Sequence, residues 1–263
     1  MSQNRTSPEQ VCNFCQHATL PFWRHGRFRR CESCGLLLRT NTVAETDLSK
    51  LYEQSWLHPE SCRSETGGTE LSHSRIYARK LAETLGRKDF AGLKLCDFGA
   101  GRGSMATALI ELNADVYAIE PFGYDFLVSQ GIKAFKSMDE LPPDLLFDGV
   151  VSISVLEHLD APWKQMAEIR ARLKPSGWAY LATPNAHGLT ARWNGDDWRE
   201  AMRPGHLLLL TPESIAQMIK STGYSRYERL KWYVAYRPGI RTYLGYILQL
   251  LHLDGELRYL AFK

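Results

Sequence analysis

The stretch LKLCDFGAGRGSMATAL, residues 93–109, constrains this chain more than any other. A short apolar run ends at Asp97, glycines follow at 99, 101 and 103, and a helix-forming run starts at Ser104. Glycine accepts left-handed backbone without penalty and lets the main chain come close to a ligand. The amides at such a helix start favour a negative group. Twenty-one residues after Gly99, closing the next apolar run, stands Glu120. A carboxylate there accepts the hydroxyls of an adenosine ribose.

Two cofactor designs share this layout. A dinucleotide loop wants its third glycine at 104, which is Ser104. The pattern here is Asp-x-Gly-x-Gly-x-Gly, with an acid ahead of the loop. It suits a cofactor with an amino-acid end and no pyrophosphate. Asp97 then meets its ammonium, and the amides of Gly99, Ala100, Gly101 and Gly103 take its carboxylate. Tight glycine turns of this composition also occur without a ligand.

The pattern along the chain predicts three parts. Residues 1–45 hold two Cys-x-x-Cys pairs, residues 46–90 read as a mainly helical connecting or lid region, and 91–263 as an α/β domain. In that domain LKLCDF, DVYAIE, FDGVVSIS and GWAYLATP read as strands, with helices between them. APWKQMAEIRARLKP predicts a helix ending at Pro175, with Ser176-Gly177 as the turn. Thr211 is placed to cap TPESIAQMIKSTGY, with Pro212 at its first position and Gly223 as its stop. YERLKWYVAY and ELRYLAFK read as late strands. Alternating strands and helices imply a doubly wound, Rossmann-like parallel sheet.

FDGVVSISVLEHLDAP, 147–162, and LKPSGWAYLATPN, 173–185, resemble the fourth-strand segment and the fifth-strand turn of class I S-adenosylmethionine-dependent methyltransferases. Ser176 replaces the first glycine of that turn. With the loop and Glu120, four segments in the right order cover 93–185. The resemblance implies a seven-stranded sheet whose last strand, ELRYLAFK, is antiparallel, and S-adenosyl-L-methionine as cofactor. It places Ser137, Met138 and Asp139 by the adenine, and Ser154 and Val155 beside the methionine portion. It implies that the helix carrying Tyr77 closes over the cofactor. DWREAMRPGHLLLLTPESIAQMIKSTGY, 197–224, is similar to the tail of a bacterial subgroup related to quinone-pathway O-methyltransferases. Many of those also begin with a cysteine module followed by a tyrosine-containing segment, here KLYEQSW at 50–56.

A proton acceptor is needed only if a hydroxyl or a carbon acid is methylated. His158 and His206 are the candidates. His158 follows the fourth strand at the carboxyl edge of the sheet, where ligands bind; it also fits a structural role in the turn. His206 lies in the insertion 185–210, which often covers the acceptor in the related subgroup, and equally suits a core position beside LLLL. Trp193 and Trp198 of the insertion either wall an acceptor or anchor the segment.

Cys12, Cys15, Cys31 and Cys34 have the spacing of a tetrahedral, structural zinc site, giving a small zinc-ribbon-like module. A segment this short folds with the help of the metal. Cys62 and Cys96 are unpaired in pattern and expected to be inert. Residues 1–40 carry six arginines against two acids, although the chain's net charge is only +3. These arginines suit the phosphate of an acceptor, or, with Phe22, Trp23 and Phe28, RNA bases. The apolar helix 239–252 suits an apolar acceptor, a membrane surface, a dimer contact or simple packing. The polar start MSQNRTSPEQ and the lack of a long apolar run make a cytoplasmic place the default.

The expectation is a zinc-containing methyltransferase acting on a small-molecule or lipid-linked acceptor: a quinone precursor, a sugar or a secondary metabolite. An RNA methyltransferase and a non-catalytic cofactor-binding assembly protein are the alternatives. The modest charge argues against RNA.

Overall fold

The computed structural model describes residues 11–40, 49–50, 52–53, 67–232, 247–251 and 253–263. Arg5, Cys62 and most of the predicted 239–252 helix lie outside them.

Seven strands form the main sheet: β4 (Lys94–Phe98), β5 (Asp115–Ile119), β6 (Lys133–Phe135), β7 (Phe147–Ile153), β8 (Leu173–Pro184), β10 (Arg226–Arg229) and β11 (Glu256–Phe262). Their spatial order is β6-β5-β4-β7-β8-β11-β10. The first five are parallel, and β11 runs antiparallel to β8 and β10. Strand order reverses at β4, which has β5 on one side and β7 on the other. That reversal opens a crevice at the carboxyl ends of these strands.

Side chains of β8 show why both faces of the sheet are covered. Trp178, Tyr180 and Ala182 pack with α1 (Gly67–Thr84) and α2 (Ser104–Glu111). Ala179 and Leu181 point to the other core, with α4 (Pro162–Ala171) and α7 (Pro212–Ser221). This period-two split is what a central strand requires. Helix α7 starts as its sequence predicts: Thr211 Oγ1 accepts from the Ser214 amide at 3.2 Å, and Pro212 follows.

One boundary differs from expectation. Helix α4 stops at Ala171, and β8 already begins at Leu173, ahead of Pro175. Leu173 pairs with Phe147, the chain then bulges, and pairing resumes at Trp178 opposite Gly149. The bulge accommodates a proline that has no amide to give the ladder. Gly149 is needed there, since a Cβ would stand 2.2 Å from the Trp178 ring.

The cysteine segment forms a second sheet of β1 (Thr19–Phe22), β2 (Phe28–Cys31) and β3 (Leu37–Arg39). Its fourth strand comes from the insertion: β9 (Leu208–Leu209) pairs antiparallel with β3. The LLLL run is therefore a buried strand joining the two parts. Cys96 is fully buried in β4. Among the described residues, no helix is long and apolar enough to cross a membrane.

Candidate active site

The loop after β4 places Gly99, Gly101 and Gly103 at φ of 75°, 52° and 77°. Its amides are engaged within the protein. Gly99 and Ala100 donate to the Ile119 carbonyl at 2.9 and 3.1 Å, and Gly103 donates to Ala100. Glu120, at the end of β5, folds its carboxylate back over the loop. It accepts from the amides of Gly101 at 2.8 Å, Phe122 at 3.1 Å and Gly123 at 3.4 Å.

These groups border a cavity of about 640 Å³ in the crevice. Gly99, Gly101 and Glu120 form one wall. Ser137, Met138 and Asp139 form another, on the turn after β6. Ser154, Val155 and His158 close it from the end of β7. Asp97, Ala100 and Gly103 do not line the cavity.

Asp97 carries the clearest sign of a missing partner. It is buried, and its Oδ2 has no hydrogen-bond partner among the described residues. Burial pushes its carboxyl up to about 7, and the nearby Glu120 carboxylate acts in the same direction. An ammonium group reaching this region would hold Asp97 ionised. With an open, glycine-lined wall and a fixed carboxylate at Glu120, the residues fit a nucleoside bearing an amino-acid end.

His158 sits beside this cleft. Its Nδ1 lies 2.9 Å from the Gly205 carbonyl and 2.6 Å from the Tyr52 hydroxyl. In the tautomer that donates from Nδ1 to the Gly205 carbonyl, Nε2 keeps its lone pair. Burial lowers the His158 pKa, which keeps the ring neutral and basic. Tyr52 stacks on Phe122 at 5.2 Å and stands edge-on to His158 at 5.7 Å. Neither aromatic stands out in sequence; the tyrosine-containing segment was the only signal for Tyr52.

His206 is placed differently. It is 1% exposed, and its ring meets His158 edge-on at 4.6 Å. Burial, with His158 and two arginines nearby, lowers its pKa to about 3. It lines neither this cavity nor the one beside it, and so backs His158 without facing a ligand. Glu157 is buried too: Thr183 donates to Oε2 at 2.9 Å, and burial pushes the carboxyl up to about 7. Donor atoms of Glu157, His158 and His206 lie within 4.8 Å of one another, a compact buried polar cluster.

A second cavity, of about 710 Å³, adjoins the first, and Ser154 lines both. Ser154 holds φ at 54°, an uncommon angle for a residue other than glycine and one that concentrates at functional sites. The insertion walls this chamber. Trp198 is buried with Phe28, Leu37 and Leu209, whereas Trp193 is 86% exposed. Trp198 therefore anchors the insertion. Tyr77 donates to Glu256, a residue of the chamber wall, at 2.7 Å; it does not line the first cavity.

In the cysteine module the Sγ atoms of Cys12 and Cys34 are 3.7 Å apart, and those of Cys15 and Cys31 are 3.3 Å apart. Four thiolates at 2.3 Å from one ion stand about 3.8 Å from each other, so the set fits a tetrahedral metal. Of the module's arginines Arg29 and Arg39 are half-buried, while Arg24, Arg27 and Arg30 are exposed. Arg39 donates to the carbonyls of Ala201, Arg203 and His206 at 2.7–2.8 Å and covers the Phe28 ring. Asp196 of the insertion accepts from the amides of His25 at 2.7 Å and Arg27 at 3.3 Å. Arg29 bonds Thr19, and Arg30 lies over Phe22. Replacing Arg39 with Met should lower stability by about 3 kcal/mol, since three carbonyls lose charged donors. A denaturant midpoint measurement checks this; an unchanged midpoint would show the bonds to be incidental.

The pattern of a known methyltransferase domain matches residues 71–228, more than half of the sequence. The chain belongs to the methyltransferase-domain family. Its class I fold is shared with a methyltransferase from Thermotoga maritima, with a TM-score of 0.55 and 13% identity, covering 81% of this chain and 99% of that one. A Burkholderia thailandensis 1,6-didemethyltoxoflavin-N1-methyltransferase, solved with S-adenosylhomocysteine, gives 0.53 at 15% identity, covering 88% and 97%. Among curated relatives, the chain is 27% identical over 106 residues to a ubiquinone biosynthesis O-methyltransferase of Rickettsia felis, covering 37% of this chain and 43% of that protein. The corresponding Rickettsia bellii protein is 27% identical over 149 residues, covering 51% and 62%. The matched part thus spans less than two thirds of these relatives.

Proposed function

We propose that this protein transfers the methyl group of S-adenosylmethionine to a small-molecule acceptor. The observation that carries the reading is one cavity, at the strand-order reversal, faced by Gly99, Gly101, Glu120, Ser154 and His158. Bound there, the cofactor supplies a methyl group activated by its positive sulfur. The chain's own residues do the rest. Glu120 holds the ribose hydroxyls, Asp97 balances the ammonium charge, and Ser137, Met138 and Asp139 border the base. The protein fixes the acceptor in line and excludes water. For a hydroxyl acceptor, His158 takes the proton on Nε2, and the Gly205 carbonyl steadies the imidazolium through Nδ1–H.

Four cysteine thiolates hold a structural zinc in this reading. Because Arg27 and Arg39 bond the insertion, the module braces the acceptor side of the site. The chain's net charge of only +3 favours a small acceptor over RNA.

The test is His158→Gln, assayed with labelled S-adenosylmethionine and an extract of the source cells. Product formation should fall by about 10²–10⁴ while S-adenosylhomocysteine binds as before. Burial lowers the His158 pKa, so the base form is complete at neutral pH. The rate should therefore hold as pH falls to about 6.5 and drop only below it. Full activity in the variant would remove His158 from the proton step. Label in a nuclease-sensitive fraction would redirect the acceptor to RNA.

A further inference from the structure

The chamber next to the cofactor cleft has a chemistry of its own. Ser154 is the residue shared by the two cavities, so a molecule in the chamber reaches the cleft past that side chain. Pro184 and Trp198 give the chamber apolar surface, and the polar side chains of Asn194, Asp197, Arg199, Glu200, Arg203 and Glu256 line it too.

Arg199 and Arg203, at the start and just past the end of a one-turn helix, both line the chamber. Glu200 joins them: Arg199 contacts its Oε1 at 2.8 Å and Arg203 its Oε2 at 3.2 Å. The Glu200 side chain is 12% exposed, while those of the arginines are 80% and 51% exposed. One buried carboxylate thus orients two guanidiniums, whose outer N–H groups remain exposed. Each guanidinium has five N–H donors, more than Glu200 can accept from it. A pair so arranged matches the planar, multidentate recognition of phosphate. Across the chamber, Glu256 is held by Arg258 at 2.5 Å and by Tyr77 at 2.7 Å. It is a fixed acceptor for hydroxyl groups, and the exposed side chains of Asn194 and Asp197 line the same chamber.

Resting on the methyl-transfer reading above, we infer that the chamber binds a phosphate-bearing sugar, with Arg199 and Arg203 on the phosphate and the sugar hydroxyls on the opposite wall near Ser154. One hydroxyl then faces the cofactor cleft. A free sugar phosphate and a nucleotide-linked sugar share this chemistry.

The test is calorimetric titration of the full protein, first with S-adenosylhomocysteine and then, with that bound, with glucose 1-phosphate, UDP-glucose, glucose and catechol. Binding of a phosphorylated sugar at least about tenfold tighter than glucose or catechol is expected. The stronger of the first two separates a free sugar phosphate from a nucleotide-linked sugar. The double variant Arg199→Met, Arg203→Met should weaken that ligand about tenfold, the loss of one charged hydrogen bond, and leave S-adenosylhomocysteine unchanged. Tighter binding of catechol, equal binding by the double variant, or no phosphorylated sugar bound would overturn the inference. Failure of S-adenosylhomocysteine itself would overturn the methyl-transfer reading and this inference with it.

Discussion

Removing the zinc proposed for the cysteine module, by chelation or by Cys31→Ser, should reduce the proposed methyl transfer at least about a hundredfold while the cofactor cleft still binds S-adenosylhomocysteine. The module's three short strands bury little beyond the cysteines, Phe28, Leu36 and Leu37. A core of that size does not hold a fold without help, and ion binding supplies the missing free energy. When the module loosens, β9 loses its partner strand. Asp196, 3% exposed, loses both amide donors, and three carbonyls lose Arg39. Each buried polar group left unpaired costs about 1–3 kcal/mol. The segment that pays is the one carrying Gly205, the partner of His158, and Arg199 and Arg203 in the chamber wall. Glu120 and its loop touch none of this, so cofactor affinity should survive. Metal content, amide exchange over 196–209 and turnover, measured together, check the chain of cause. A metal-free protein with full turnover and a protected insertion would make the module a mere appendage.

The sheet was legible because its signals are local. A glycine turn, a capped helix and alternating apolar runs each declare themselves within ten or so residues, and β4, α2, β7 and α7 lie where those runs place them. The cofactor side of the site was legible for the same reason: it is built from strand ends. The acceptor side was not, since its parts meet only through long-range contacts. Arg39 reads as a surface charge until the Ala201, Arg203 and His206 carbonyls arrive beside it. LLLL at 207–210 reads as a buried run, yet only pairing with β3 shows that it is an edge joining two sheets. The matching apolar runs at 36–38 and 207–210 were the one clue to that pairing. His158 and His206 look alike in sequence; burial separates them, one facing the cleft and one packed behind it.

Gly99→Ala should weaken S-adenosylhomocysteine binding about a hundredfold or more, whereas Gly101→Ala, two residues on, should cost far less. Both positions hold left-handed backbone, at φ of 75° and 52°, and any side chain there costs about 1–2 kcal/mol. The surroundings then divide them. A Cβ at Gly99 would lie 2.2 Å from Val155 Cγ2 and 3.1 Å from Cγ1, while one at Gly101 meets nothing within 4 Å. Valine is branched at Cβ and stiff at χ1, so it cannot swing aside. Relief must come from moving the loop away from Glu120 or moving the turn that carries His158. Either displacement deforms the cleft. Trimming the obstacle should therefore restore much of the loss: Gly99→Ala with Val155→Ala should bind several-fold better than Gly99→Ala alone, retaining mainly the backbone penalty. Equal losses at Gly99 and Gly101, with no recovery in the pair, would mean that backbone strain alone governs the loop and that the contact between Gly99 and Val155 does not shape the cofactor site.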